Sequence, residues 1–224
     1  TLTADTFRFF RELKKNNSKV WMDANRDRYK QHVIEPLRGL LDTLAPGMQK
    51  LHPAFSIGGR TGENFSRINR DIRFAKDKTP YYTHMYLFFS CADKPGRAGG
   101  QLYVGISADS VTIGFRIYHG GRASAMACIC GPRAIENLDW LARRQKKFAR
   151  KFEGYWYSSE KGSWTKHSGW PSDAKEWTTA KGWIVRRKLS AATATKPSFC
   201  RQIEKTLREL FPLYRFACLQ EWKS

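Results

Sequence analysis

Acid is scarce in this sequence beside base. Its 224 residues hold 20 Asp and Glu against 40 Lys and Arg, a formal net charge of +20 before any histidine is counted. Such a chain repels itself and attracts polyanions, so the expected partners are nucleic acid, another polyanion or a small anionic ligand. Also missing is an apolar run able to span a bilayer, the longest strongly apolar stretch being residues 85–89. The first residues alternate charges with aromatics and lack the apolar core of a signal peptide. Cysteines number five, Cys91, Cys128, Cys130, Cys200 and Cys218, an odd and scattered set in a chain too large to depend on staples. Reduced thiols and a cytoplasmic location are the expectation. Familiar catalytic signatures are absent: there is no Walker loop, dinucleotide fingerprint, His-Glu-x-x-His or Gly-x-Ser-x-Gly. Cys128-x-Cys130 with His119 lacks the paired spacing of a zinc site, so no metal and no cofactor are expected.

With 41% hydrophobic residues, the chain is long enough for one domain with a core of its own. Phe7, Phe10 and Leu13 recur at helical spacing behind Thr3, a plausible N-cap. After the break at residues 16–18, Trp21, Tyr29, Val33, Leu37, Leu40 and Leu44 share one face of a second helix over residues 18–44, with Pro36 kinking or restarting it. Residues 45–64, carrying Pro46-Gly47, His52-Pro53 and Gly58-Gly59, read as connection. Three strand-like runs follow at 83–90, 101–107 and 111–118, the last alternating Val111, Ile113, Phe115 and Ile117 with Thr112, Gly114, Arg116 and Tyr118.

A helix is expected over 132–152, with Pro132 in its first turn, then a tryptophan-rich segment over 153–188, and closing helices over 196–222. The whole reads as a single α+β domain spanning residues 1–224. An antiparallel sheet would carry the N-terminal helical hairpin (3–44) and the later helices, with the cationic motif and sheet at 65–118.

The densest positive charge lies in residues 65–84, FSRINRDIRFAKDKTPYYTH. Arg67, Arg70, Arg73, Lys76 and Lys78 fall within twelve residues, balanced only by Asp71 and Asp77. Two cations about 5 Å apart repel by roughly 3 kcal/mol at an effective dielectric near 20, so a fold that gathers several favours a bound counter-charge. Guanidinium forks match phosphate geometry, and lysines add point charge. Alternatively, Asp71 and Asp77 each brace an arginine, and the cluster only fixes an irregular loop ahead of the sheet. Thr79-Pro80 steers the backbone away from helix.

This stretch, with its core RDIRFAKDKTPYYTH, resembles the uncharacterised family known as domain of unknown function 2461, whose hallmark is an Arg-Asp-x-Arg-Phe-x-Lys-Asp-Lys-Thr-Pro-Tyr segment. The hallmark falls on Arg70, Asp71, Arg73, Phe74, Lys76, Asp77, Lys78, Thr79, Pro80 and Tyr81. The opening FRFFRELKKNNSKVWMDANRDRY is similar to that family's N-terminal hairpin. The resemblance covers most of the chain and implies no activity. Tyr82 departs from the basic residue often found there.

Other candidates surround this motif. Asn17, Trp21, Asn25 and Tyr29 are spaced four apart, as on one helical face. Asn25 needs hydrogen-bond partners on an aromatic stripe, so it either steadies the cationic loop or touches a ligand, with Arg28 adding charge. His84 and Asp77 could act as acid and base near a phosphate, but no spacing supports that pairing, and a structural His84 at the entry to the sheet fits better. Gly58-Gly59-Arg60-Thr61-Gly62 could nest an anion or serve only as a turn. Arg143, Arg144, Lys146, Lys147, Arg150 and Lys151 make one side of the 132–152 helix basic, either a solvated face or a nucleic-acid surface.

Trp156, Trp164, Trp170, Trp177 and Trp183, interleaved with Lys161, Lys166, Lys175, Lys181 and Arg186-Arg187-Lys188, either anchor a long loop to the core or offer stacking platforms to a single strand. Three functions therefore remain open: a binder of phosphate-bearing ligands, above all nucleic acid; an enzyme acting on a phosphorylated or carboxylated small molecule; and a scaffold whose Arg-Asp clamp is purely structural.

Overall fold

The computed structural model describes residues 2–91, 99–118, 130–160 and 162–222. His119, Cys128 and Lys161 lie outside the described residues. Helix α1 (Ala4–Lys15) starts as expected: Thr3 is extended, and its side chain and that of Thr6 close a reciprocal capping box. Phe7, Phe10 and Leu13 are buried along it, with Phe9.

The helix expected over 18–44 is instead four pieces: α2 (Lys19–Ala24), α3 (Arg26–Tyr29), a π-helical turn (Lys30–Ile34) and α4 (Glu35–Leu51). Asn25 makes the first break, its side-chain amide donating to the Trp21 carbonyl at 2.8 Å. That amide competes with the backbone for the carbonyl four residues back. Pro36 restarts the helix in the first turn of α4, directly after the π turn. Residues 45–51, expected as connection, continue α4 through Pro46, because Ala45 and Met48 prolong the buried stripe of Leu37, Leu40, Leu41 and Leu44. Here burial overrides the proline signal.

The strands are β1 (His84–Phe89), β2 (Gln101–Ser107), β3 (Ser110–Tyr118), β4 (Glu153–Glu160), β5 (Ser163–Ser168) and β6 (Gly182–Ser190). They form one antiparallel six-stranded sheet in the order β1-β2-β3-β6-β4-β5. The first three match the sequence expectation. The tryptophan-rich segment corrects it: instead of a long loop it supplies three strands and α7 (Ala174–Thr179). Rings on both faces of β4, Tyr155 and Tyr157 opposite Trp156, had hidden the period of two. Trp156, Trp170, Trp177 and Trp183 are all buried, with Trp183 edge-on to Phe115, Trp170 and Trp177. Four of the five tryptophans are therefore core rather than exposed platforms.

The helix expected over 132–152 splits into α5 (Gly131–Glu136) and α6 (Leu138–Phe148). Asn137 repeats the device of Asn25, donating to the Arg133 carbonyl at 2.7 Å. After α8 (Ala191–Ala194), α9 (Phe199–Cys218) runs unbroken through Pro212. Leu213, Tyr214, Phe216 and Ala217 continue its buried face past that proline.

Chain contacts gather into two units, one of Thr1–Phe89, Val104–Thr112 and Lys188–Lys205, the other of Ser90–Tyr103, Ile113–Arg187 and Thr206–Ser224. In the first, fully buried Asn64 ties the connection after α4 to β1. Its side chain accepts from the Gly59 amide at 2.9 Å and donates to the carbonyls of Ser56 at 2.8 Å and Phe88 at 3.1 Å. Replacing Asn64 by Ala strands the buried Phe88 carbonyl and two half-buried backbone groups, of Ser56 and Gly59, and is expected to cost about 2–4 kcal/mol in urea unfolding. A loss near zero would mean that other contacts hold this connection.

Candidate functional site

The cationic stretch is the tip of an irregular ribbon in the first unit. Residues 64–70 run beside residues 80–88, held by Phe88 N–H to Asn64 O, Ser66 N–H to Tyr86 O, Tyr82 N–H to Ile68 O and Arg70 N–H to Pro80 O, at 2.7–3.0 Å. Asn17 secures the far side from the turn after α1: its amide donates to the Tyr81 carbonyl at 2.8 Å, and its side-chain oxygen accepts from the Tyr81 N–H at 3.1 Å. Residues 71–79 form the exposed tip, with the ring of Phe74 left 95% exposed.

The five cations take different roles. Arg70 is the brace. Its guanidinium donates to the Thr79 carbonyl at 3.0 Å, to the Thr79 hydroxyl and to Asp77 at 2.6 Å, with its side chain only 19% exposed. Asp77 in turn accepts from the Thr79 N–H at 2.9 Å. That backbone bond, and then Arg70, hold the Asp77 carboxyl below the ordinary aspartate range. Arg73 forks onto Asp71 at 3.0 and 2.7 Å in full solvent, which lowers the Asp71 carboxyl as well. Lys78 donates to the carbonyls of Ile72 and Arg73 at 3.0 and 3.4 Å and meets no carboxylate among the described residues.

Arg67 and Lys76 are exposed and have neither ion pair nor hydrogen bond among the described residues. Both carboxylates of the loop are thus occupied by Arg70 and Arg73. Three positive charges, on Arg67, Lys76 and Lys78, have no acid partner among the described residues.

The supporting residues divide likewise. Asn25 does not reach the loop: its oxygen accepts from Arg28 at 2.7 Å, and Arg28 pairs with Glu12 at 2.8 Å. The amide that steadies the loop is that of Asn17, eight residues earlier. Its signal in the sequence was a polar residue in the break after α1, where a side chain can reach beyond its own helix. His84 lies between the rings of Tyr82 and Tyr86, with centroids at 5.3 and 5.2 Å, a structural placement on the ribbon. The glycine-rich turn is no open anion nest. The Gly59 amide is taken by Asn64, and the Gly62 amide by the Phe65 carbonyl at 2.7 Å.

In the second unit, Arg144 lies over the Trp140 ring at 4.9 Å, and Lys151 pairs with Glu209 at 3.2 Å. Arg143, Lys147 and Arg150 are exposed, without an ion pair among the described residues. Cys130 is buried, and burial pushes its thiol well above the usual range. Among the described residues no cluster of His, Cys, Asp and Glu could hold a metal ion. None of their helices is long and apolar enough to cross a membrane.

These observations define an α+β protein built around a braced cationic loop. Its sequence matches the family described as conserved hypothetical protein (DUF2461) over residues 5–216, and the chain belongs to that family. A comparison with curated proteins finds no match.

Arg70→Ala is expected to lower stability by about 1–3 kcal/mol in chemical unfolding, because it strands the Thr79 carbonyl at a shielded position. Arg73→Ala, in open solvent, should leave the unfolding midpoint unchanged. An equal loss for both variants would contradict the division of roles.

The carboxyls of Asp71 and Asp77 are depressed in the folded chain, so the unfolded chain binds more protons and stability rises with pH through this window. Their support is complete above about pH 4, the unfolded aspartate value, and disappears as acid carries the pH down through the depressed values. An acid titration followed at the Thr79 amide resonance reads this directly.

Proposed function

We propose that this protein binds phosphate-bearing ligands, nucleic acid first among them, through the loop of residues 67–78. One observation carries the reading: the loop's two carboxylates are engaged by Arg70 and Arg73, while Arg67, Lys76 and Lys78 meet none. An outside anion would relieve their mutual repulsion. The net charge of +20 supports a polymeric anion over a single small one. Arg143, Lys147 and Arg150 add exposed charge for non-specific contact with phosphates. Phe74, exposed at the tip beside Arg73, whose guanidinium lies 5.9 Å from the ring centroid, gives the loop a ring as well as charge. Cys130 and Cys200 are free thiols, which supports a reducing, cytoplasmic setting.

A second reading rests on Arg70. Its engagement by Thr79 and Asp77 favours a scaffold in which the hallmark segment exists to hold the ribbon together, without binding or catalysis.

Duplex binding measured against salt separates the two. Each phosphate contact contributes about −0.9 to the slope of log K against log salt, so Arg67→Ala/Lys76→Ala should flatten the slope by about 1.8. The fold should be untouched, since neither side chain is bonded. Binding unaltered by the double variant, or no binding by the parent at 50 mM salt, leaves the scaffold reading standing.

A further inference from the structure

A second surface, within the other unit, combines rings and cations. Strand alternation puts Tyr118 of β3, Ile184 and Arg186 of β6, Tyr155 and Tyr157 of β4, and Trp164 and Lys166 of β5 on one face, opposite Trp156 and Trp183. The registers fix the neighbours: Tyr157 pairs with Lys166 on one side and Gly182 on the other, and Tyr155 with Ser168 and Ile184. Gly182 is required here, because a Cβ at that position would stand 2.6 Å from Cδ1 of Tyr118. The Tyr118 ring thereby lies across the glycine and comes within 6.4 Å of Tyr157 at an interplanar angle of 30°. Trp164 closes the group at 5.7 Å from Tyr157 and 6.5 Å from Tyr118. Behind these rings, Lys166 Nζ lies 4.1 Å and the Arg186 guanidinium 5.0 Å from the Tyr155 ring centroid.

Trp164 differs from its fellows. Trp156, Trp170, Trp177 and Trp183 are at most 5% exposed, whereas Trp164 is 48% exposed on the edge strand of the sheet. A large ring left open to water beside other rings is the informative kind of exposure. The charge decides the occupant. Arg186 is partly offset by its ion pair with Glu153, but Lys166 is exposed and has no ion pair among the described residues. A neutral sugar or an apolar peptide would have no use for that cation, whereas a nucleotide supplies both a flat π-face and a phosphate.

We propose that this face is a stacking surface for single-stranded nucleic acid, with Trp164 and Tyr157 taking bases and Lys166 and Arg186 the backbone between them. The inference rests on the nucleic-acid reading of the loop but uses different residues. A duplex keeps its bases stacked inside and presents phosphates, so it engages cations alone. A single strand can offer its bases to rings, and each such stack strengthens binding regardless of sequence. The face therefore makes the protein favour single strands.

The test is fluorescence anisotropy with labelled dT15 and with the dT15·dA15 duplex at 50 mM salt. Trp164→Ala is expected to weaken dT15 binding by about tenfold and duplex binding by less than about twofold, with Trp164→Phe retaining most of the affinity. Equal losses on both probes, or no loss on dT15, overturn the proposal. If Arg67→Ala/Lys76→Ala still weakens duplex binding in that case, the loop reading survives and this one alone falls. If the parent binds neither probe, both fall. Should Trp164→Ala fail to fold, ultraviolet cross-linking of dT15 to the unaltered protein replaces it: adducts on the peptides holding Tyr157 or Trp164 support the surface, and adducts only elsewhere overturn it.

Discussion

One guanidinium sets the shape on which the functional reading depends. Arg70 reaches back from the start of the exposed tip to the carbonyl and hydroxyl of Thr79 and the carboxylate of Asp77, closing nine residues into a loop. Without that closure, residues 71–79 would have only the ribbon at their base and the Lys78 bonds to the Ile72 and Arg73 carbonyls to order them, and crowded like charges would drive them apart. The cost of the closure is one acid, Asp77, and Arg73 occupies the other, Asp71. The same bonds that fix the loop therefore determine which cations remain without a counter-charge. Bracing and ligand capture are two consequences of a segment with five cations and two acids.

The loop is in turn held by neutral groups. Asn17 bonds both polar atoms of the Tyr81 backbone, and buried Asn64 gathers three backbone groups behind β1. Two further asparagines, Asn25 and Asn137, act at helix breaks, each donating to the carbonyl four residues earlier. In a chain so rich in charge, amides shape the backbone without adding repulsion. That leaves the ionic groups near solvent, where an outside anion can reach them.

Much of the architecture was legible. The N-cap at Thr3, the strands at 84–89, 101–107 and 110–118 and the family hallmark follow from local pattern: β3 alternates buried and open positions, and β2 is a short apolar run buried on both faces. Boundaries failed where tertiary burial outweighed local chemistry: Pro46 and Pro212 sit inside helices whose apolar stripes continue past them. The tryptophan-rich segment failed for the opposite reason, since rings on both faces of β4 erase the alternation that marks a strand. Within the site, the cations and their two acids were visible in the sequence. Which arginine takes which acid was not, because that depends on the path of the loop. Nor could spacing show that Asn17, rather than Asn25, reaches the loop, since Asn17 lies in the break between α1 and α2, while the Asn25 amide is taken by the Trp21 carbonyl of its own helix.

The central claim is that the braced loop keeps attraction for an outside phosphate. It is tested most directly by following backbone amide resonances of the whole protein during titration with dT15 at 50 mM salt. The account predicts saturable shifts at residues 66–78, strongest near Lys76 and Lys78 and reversed at 300 mM salt. Amides in this loop that stay unmoved while others shift, or shifts that persist at high salt, would contradict it.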